Sequence, residues 1–104
     1  MKRSRIHLSD AAANDIIEQA DWYEERANSR LGNRWESAVA QALLRIVKNP
    51  RSGAPCTFKA SELRGARRVS VSGFPKHLIF YRVEKDALLI LRVIHGARDL
   101  ESLF

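Results

Sequence analysis

The sequence predicts one small domain in which two consecutive helices are followed by consecutive strands, in the order β-α-α-β-β-β. Three observations support this. The length of 104 residues suits one domain. Residues 10–48 repeat apolar side chains at helical spacing, and residues 67–94 hold runs of β-branched and aromatic residues. Because 45% of the residues are hydrophobic and 29% are charged, we expect a packed core over residues 1–104 and exclude a disordered chain.

A short strand is predicted for residues 3–8, before the first helix. Ser9 and Asp10 follow it, and either can cap a helix by accepting hydrogen bonds from its first N–H groups. The helix has an apolar stripe at spacings of four, four, three and four, formed by Ala12, Ile16, Ala20, Tyr23 and Ala27. Its opposite face is expected to be polar and carries Asp15, Glu18, Asp21 and Glu25.

A second helix is predicted to end at Lys48, before Asn49 and Pro50. It begins near Ser29 or at Asn33, and the sequence leaves both starts open. Its stripe comprises Leu31, Trp35, Val39, Ala42, Leu43 and Ile46. Because the connection between the helices is short, they are expected to lie antiparallel.

The second half is predicted to hold a loop and three strands. Residues 51–66 show no periodicity and are predicted as the loop. A strand over residues 67–72 alternates between its faces, and a turn is predicted at residues 73–75. Strands at residues 77–83 and 88–94 follow, joined by a hairpin connection at residues 84–87.

The last two predicted strands are apolar on both faces. Leu78 and Phe80 share one face of the first, and Leu88, Ile90 and Ile94 are expected to share one face of the second. One helical hairpin covers one face of a sheet, so the other face needs a different cover. Three covers remain open: a second copy, a partner chain, or a C-terminal tail that contains Leu100, Leu103 and Phe104.

The charge distribution indicates an anionic partner. Eighteen Lys and Arg residues against twelve Asp and Glu give a net charge of +6, and nine basic residues against one acidic residue lie between positions 45 and 82. A cytoplasmic location without membrane insertion is expected, because Cys56 is the only cysteine and no long apolar segment is present. No cofactor or metal site is expected, because nucleotide-binding and zinc-binding motifs are absent.

Metal-free RNA cleavage is one chemistry for which the residues offer parts. It needs a general base, a general acid and cations on the phosphate. The side chains of His77, Tyr81 and His95 are candidates for proton transfer. The candidates for phosphate binding are Arg64, Arg67, Arg68 and Arg98. A plain nucleic-acid-binding module, supported by charge alone, is a further alternative.

Several segments in order resemble the RelE/ParE superfamily of bacterial type II toxins. The matching pieces are Pro50 and Gly53, Leu63-Arg64-Gly65 with Arg67 or Arg68, Phe74-Pro75, Phe80-Tyr81-Arg82-Val83, and the run from Arg92 to Asp99. The resemblance implies an α+β fold with a mainly antiparallel four-stranded sheet packed against an antiparallel helical hairpin. It also implies a cognate antitoxin as partner.

Members of the superfamily act in two ways: the RelE-like branch cleaves mRNA, and the ParE-like branch poisons DNA gyrase. In RNA-cleaving members, lysines lie on the strand that corresponds to residues 67–72, and a tyrosine often ends the chain. Here serine and valine replace the lysines, and Phe104 has no proton to transfer. Arg98 does match an arginine after the last strand, and some such RNases use a histidine near the C-terminus, so His95 keeps the RNase alternative open. The run from Arg92 to Asp99 and the long first helix look like the ParE-like branch.

The favoured hypothesis is therefore a toxin that binds and poisons DNA gyrase and that a cognate antitoxin neutralises, without catalysis by its own side chains. The alternative is a ribosome-dependent, metal-independent mRNA endonuclease with His95 and Arg98 at its centre. We expect the surface that binds the target or the antitoxin to include Trp22, Trp35, Arg64, Arg67, Arg68, Arg82, Arg92, His95 and Arg98.

Overall fold

The computed structural model describes residues 5–56 and 64–96, which form two helices and a five-stranded sheet. In chain order the elements are β1 (Arg5–Leu8), α1 (Asp10–Arg26), α2 (Ser29–Lys48), β2 (Ala54–Pro55), β3 (Arg67–Val71), β4 (Phe74–Val83) and β5 (Ala87–His95). The predicted α+β class is confirmed. The predicted strand count of four is corrected to five, because the predicted loop contains the two-residue strand β2, which is too short to show a pattern.

The sheet has the strand order β1-β5-β4-β3-β2. β5 pairs antiparallel with β4 and parallel with β1, so the last strand lies inside the sheet. The pairs β4–β3 and β3–β2 are also antiparallel. The sheet is therefore mixed, with three antiparallel pairs and one parallel pair, and the mainly antiparallel prediction is confirmed.

The helix starts that the sequence left open are determined by their caps. Ser9 caps α1, because its hydroxyl accepts a hydrogen bond from the Ala12 amide at 3.0 Å. The Asn28 side chain caps α2 at Ser29 by accepting from the Leu31 amide at 2.9 Å. Gly32 costs helix propensity, but a Cβ there would lie 3.1 Å from the Ala20 carbonyl oxygen, so glycine allows the close approach of the two helices.

The core lies between the two helices and one face of the sheet. The Trp35 and Tyr81 side chains are its largest fully buried members, and the Trp35 indole donates to the Ile16 carbonyl of α1 at 3.0 Å. Both predicted helical stripes are largely confirmed. The buried core positions are Ala12 and Ala20 of α1, Trp35, Val39, Ala42 and Ile46 of α2, and Val71, Ile79, Tyr81, Leu88, Ile90 and Val93 of the sheet.

A β-bulge in β5 changes which side chains face the helices. Tyr81 pairs with Ile90 but Phe80 pairs with Arg92, so β5 has one extra residue between these partners. Val93 therefore joins the core on the helix side, while Ile94 is buried outside that cluster. The prediction that Ile94 shares a face with Leu88 and Ile90 is wrong for this reason.

The turn before β4 is shorter than predicted. Ser72 and Gly73 form it, Gly73 has a φ of +85°, and Phe74 already belongs to the strand. Pairing is interrupted beside Pro75, which has no N–H to donate to a neighbouring strand.

The outer face of the sheet is the one turned away from the helices. Phe80 does not belong to the core cluster beneath the helices, yet it is 0% exposed, so the outer face is covered at this position. The tail residues Leu100, Leu103 and Phe104, one of the three covers that the sequence left open for that face, lie outside the described residues. Across residues 5–56 and 64–96, the structure contains no helix with the length and apolar character needed to cross a membrane.

Candidate functional site

An open cleft of about 440 Å³ lies between α1 and the start of β4. One side is formed by α1, which contributes Gln19, Trp22 and Tyr23, and the other by residues 73–77 together with His95 of β5. In the amphipathic helix α1, Trp22 lies next to Tyr23, which faces the core. The Trp22 indole is therefore at the edge of the α1–α2 hairpin. The cleft therefore combines aromatic walls with a few polar groups, a composition common in binding sites.

Two histidines form the floor of this cleft on paired strands. His77 of β4 lies directly opposite His95 of β5, with ring centroids 5.3 Å apart. His77 is 6% exposed, and its ring centroid lies 4.7 Å from that of Trp35, whereas His95 is only partly buried. A substrate in the cleft can therefore reach His95 more readily than His77.

The third predicted proton-transfer residue is committed to a structural role. Tyr81 is fully buried, and its hydroxyl donates to the Pro50 carbonyl at 2.7 Å and accepts from the Gly53 amide at 2.9 Å. A Cβ at Gly53 would lie only 2.5 Å from that hydroxyl, so the loop packs directly on the tyrosine. The structure therefore brings His77 and His95 together but assigns Tyr81 to holding the loop after α2.

Two of the predicted binding arginines also hold loops. The Arg67 guanidinium donates to the carbonyls of Gly53 at 2.8 Å and Arg51 at 3.2 Å. Arg82 forms an ion pair with Glu84 at 2.9 Å and donates to the Arg64 carbonyl at 3.3 Å. These contacts order the segments on both sides of residues 57–63.

Arg92 has a partner inside the fold. Its Nε and Nη2 donate to the two carboxylate oxygens of Asp15 on α1 at 2.8 and 2.9 Å. Asp15 was predicted on the polar face opposite the apolar stripe of the first helix, yet its side chain is only 13% exposed. That prediction is wrong for Asp15, because its carboxylate faces β5 and accepts from Arg92 and from the Val93 amide. Arg98, the other predicted residue near the end of β5, lies outside the described residues.

The two tryptophans differ in exposure. Trp35 is 0% exposed, because α1 and the Phe74 and His77 rings of β4 enclose it. The prediction that it contacts a target or an antitoxin does not fit this position. Trp22 is 43% exposed at the cleft, where the Arg26 guanidinium lies 4.8 Å from the centre of its ring. Trp22 therefore remains available for contact with a partner.

Arg64 and Arg68 are exposed, at the β2–β3 side of the sheet. Burial raises the pKa of the Cys56 thiol above its ordinary value, and the positive charge of Arg68 offsets part of this effect. At a given pH the folded chain therefore holds less of the reactive thiolate than an unperturbed cysteine would. Among residues 5–56 and 64–96, no group of three His, Cys, Asp or Glu side chains is arranged to hold a metal ion.

Sequence reasoning missed two features, one inside the fold and one on its surface. The role of Asp15 depends on a bulge that no residue pattern indicates. A groove along α2, lined by Arg30 and Arg34, was hidden because the first 36 residues have nearly balanced charge when they are counted along the chain. Counting charge helix by helix is the signal that would have revealed it.

A helical hairpin on one face of a mixed sheet, with an aromatic cleft at its edge, defines a fold seen in solved toxin–antitoxin systems. A chain of the chromosomal ParDE system from P. aeruginosa is similar with a TM-score of 0.74 and 15% identity, over 89% of this chain and 96% of that one. A chain of the E. coli DinJ-YafQ toxin–antitoxin complex has a TM-score of 0.59 and 14% identity, over 91% and 94% of the two chains.

The family follows from the sequence match. The model of the ParE toxin of type II toxin–antitoxin systems matches residues 6–100, and the chain therefore belongs to the ParE toxin family. A search of curated proteins gave no match. The resemblance inferred from the sequence is confirmed.

Proposed function

We propose that this chain is a toxin that inhibits growth by binding and poisoning DNA gyrase in the cytoplasm, and that a cognate antitoxin neutralises it. The observation that carries the proposal is the match to the ParE toxin model over nearly the whole chain. Nothing in this action requires the chain itself to make or break a covalent bond.

The placement of the candidate proton-transfer residues supports a binding mechanism. The Tyr81 hydroxyl both donates and accepts a hydrogen bond with the loop after α2, and His77 is buried against the Trp35 ring. General acid–base catalysis needs two groups within reach of the reacting atoms. Of the three residues, only His95 both lines the cleft and is partly exposed.

The cleft offers the antitoxin a place for an apolar anchor. Trp22, Phe74 and Pro75 give it aromatic and apolar walls, and Lys76 stands at its edge as a cation. An antitoxin segment that orders on binding would place an apolar side chain between these walls and an acidic one beside Lys76. Exposed Arg64 and Arg68 add positive charge at a separate place, the β2–β3 side of the sheet.

A supercoiling assay with purified gyrase tests the proposal. We expect the protein to reduce supercoiling and to trap double-strand breaks, and we expect the product of the adjacent gene to reverse both effects. A folded protein without either effect on gyrase would contradict the proposed target. Reversal by an unrelated acidic protein as readily as by that product would contradict a specific antitoxin.

Ribosome-dependent mRNA cleavage is the second candidate, favoured by one observation. His95 is a partly exposed imidazole in the same cleft as the Lys76 side chain, so a proton-transfer group and a cation share one cavity. If the chain cleaves mRNA on ribosomes, His95→Ala abolishes cleavage while the fold is retained. The matched control is His7→Ala, which removes an exposed histidine on β1. Equal cleavage by both variants would remove this candidate.

A further inference from the structure

A second open groove, of about 550 Å³, lies between the N-terminal half of α2 and the β3–β4 turn. It meets the aromatic cleft at Gly73 and Phe74, which line both. Seven of its ten described lining residues have polar side chains, and none of the ten is a carboxylate. The polar members from α2 are Ser29, Arg30, Asn33, Arg34, Ser37 and Gln41.

Two exposed arginines dominate the charge of this groove. Arg30 and Arg34 lie one helical turn apart, about 6 Å along the axis of α2. Within residues 5–56 and 64–96, the ion pairs of the structure involve Arg82 and Arg92 and leave both groove guanidinium groups without a carboxylate partner. Their charge is therefore available to a ligand in the groove.

The basic surface continues beyond the groove along the same face of α2. Spacings of four, three, four, four and three residues place six polar positions on one stripe: Arg30, Arg34, Ser37, Gln41, Arg45 and Lys48. The stripe is about 27 Å long, and it contains four cations and no acidic residue. A linear array of cations at this spacing suits a linear polyanion better than a single small anion.

The first turn of α2 adds to this preference. It contains no acidic residue, although the unpaired N–H groups and the dipole at a helix N-terminus favour negative charge there. Arg30 instead adds a positive charge at the positive end of the helix. An anion seated beside Arg30 would offset that unfavourable placement.

The neighbouring helix restricts a polyanion to α2. α1 has one basic residue, Arg26, against six acidic residues, whereas α2 has one acidic residue, Glu36, against four basic ones. The hairpin therefore presents a negative helix beside a positive one. A polyanion that approaches this surface is repelled by the first helix and attracted by the second.

We propose that the groove and stripe of α2 bind the phosphodiester backbone of a nucleic acid. The guanidinium forks of Arg30 and Arg34 hold successive phosphates, and the Ser37 hydroxyl and Gln41 amide donate to phosphate oxygens. Binding is independent of base sequence, because these contacts reach only the backbone. This site goes beyond the proposed function and does not depend on gyrase as the target.

Fluorescence anisotropy with the full chain tests the proposal. The probe is a labelled DNA duplex of about 20 base pairs, which at roughly 68 Å is longer than the stripe. Single-stranded DNA and RNA of the same length identify the preferred source of the phosphates. We expect binding that weakens steeply as the salt concentration rises. For the duplex, the plot of log binding constant against log salt concentration has a slope whose magnitude falls by about 2 in the double variant Arg30→Gln and Arg34→Gln. At low salt we expect affinity for the preferred probe to fall at least about tenfold.

The matched control removes two exposed charges far from the groove. Arg5→Gln combined with Lys85→Gln makes the same change in net charge at the opposite end of the sheet, and we expect affinity within about twofold of the unchanged chain. An equal loss in both double variants would show that net charge alone binds the probe and would overturn the site. Binding of an acidic peptide such as decaglutamate without binding of any nucleic acid would also overturn it. Circular dichroism confirms that each variant is folded.

Discussion

Asp15 and Arg92, 77 residues apart in the chain, join α1 to the bulge of β5 through two parallel hydrogen bonds of 2.8 and 2.9 Å. The same Asp15 carboxylate accepts from the Val93 amide at 2.9 Å, and the Ser9 hydroxyl donates to the Leu91 carbonyl at 2.8 Å. Strand pairing leaves backbone groups at the bulge without partners, and Asp15 of α1 and its cap residue Ser9 supply the missing hydrogen bonds. This contact fixes the position of the hairpin over the sheet.

Loss of the Asp15 carboxylate is expected to destabilise the fold. Asp15→Ala removes three charge-assisted hydrogen bonds and leaves Arg92 half-buried without them, so the free energy of unfolding should fall by about 2–3 kcal/mol. Urea denaturation measures this change. Asp21→Ala, at an exposed position of the same helix, is the control and should change it by less than about 0.5 kcal/mol. Equal effects of the two variants would contradict the role assigned to Asp15.

The Tyr81 hydroxyl is expected to stabilise the loop after α2. Tyr81→Phe leaves the Gly53 amide and the Pro50 carbonyl without their partner, at a cost of about 1–3 kcal/mol in the free energy of unfolding. Amide hydrogen exchange should also become faster at Gly53. Ser70→Ala removes a hydroxyl from an exposed position of β3 and serves as the comparison. An unchanged exchange rate at Gly53 would be incompatible with this hydrogen bond.

A methyl group at Gly53 is expected to be poorly tolerated. In Gly53→Ala the new Cβ would lie 2.5 Å from the Tyr81 hydroxyl and 3.0 Å from the Arg68 carbonyl oxygen. We expect the free energy of unfolding to fall by about 1–3 kcal/mol in thermal or urea denaturation, because the fully buried Tyr81 ring or the loop backbone must move to relieve the overlap. Gly96→Ala is the matched glycine variant. Its nearest contact, at 3.0 Å, is the end of the flexible Leu78 side chain, so a smaller loss is expected. The reverse order of the two losses would refute this explanation.

The Cys56 thiol is expected to react more slowly in the folded chain than in the unfolded chain. Because burial raises its pKa, the folded protein holds less thiolate at a given pH, and alkylation by iodoacetamide should reach half its maximal rate at a higher pH than in urea. Arg68→Gln removes an opposing influence and should shift that midpoint further upward.

The same shift links Cys56 to stability. Since the unfolded chain loses the thiol proton first, this group lowers the free energy of unfolding as the pH rises above the pKa of the unfolded thiol. Below that pH it has no effect. Coincident alkylation midpoints for folded and unfolded chains would contradict both expectations.

Much of the fold could be predicted because its signals are local. The helical stripes through Trp35 and Val39, and the alternation over residues 67–71, reflect periodicities that each element imposes on its own residues. The parallel pairing of β1 with β5 and the pairing of β2 with β3 depend on distant partners, so no local pattern indicates them.

Less of the candidate site than of the fold could be predicted from the sequence, because its geometry also depends on residues that are distant in the chain. His95 could be placed at a strand end, but its position opposite His77 required the register of two strands. The roles of Arg67, Tyr81 and Arg92 as internal donors depend on carbonyl and carboxylate groups 14 to 77 residues away. Residue type alone does not separate an arginine that holds a loop from one that meets a partner.

The position of β5 inside the sheet sets the order in which a growing chain can fold. β1 and α1 precede β5 in the chain and are synthesised before it. The strand pairing of β1 and the contacts of the Asp15 carboxylate cannot form until residues 87–95 are present. A nascent chain on the ribosome therefore cannot close its sheet until nearly all of this sequence has emerged. Such non-local pairing slows folding. Until residues 87–95 have folded, β1 has no strand to pair with and the Asp15 carboxylate lacks its partners on β5.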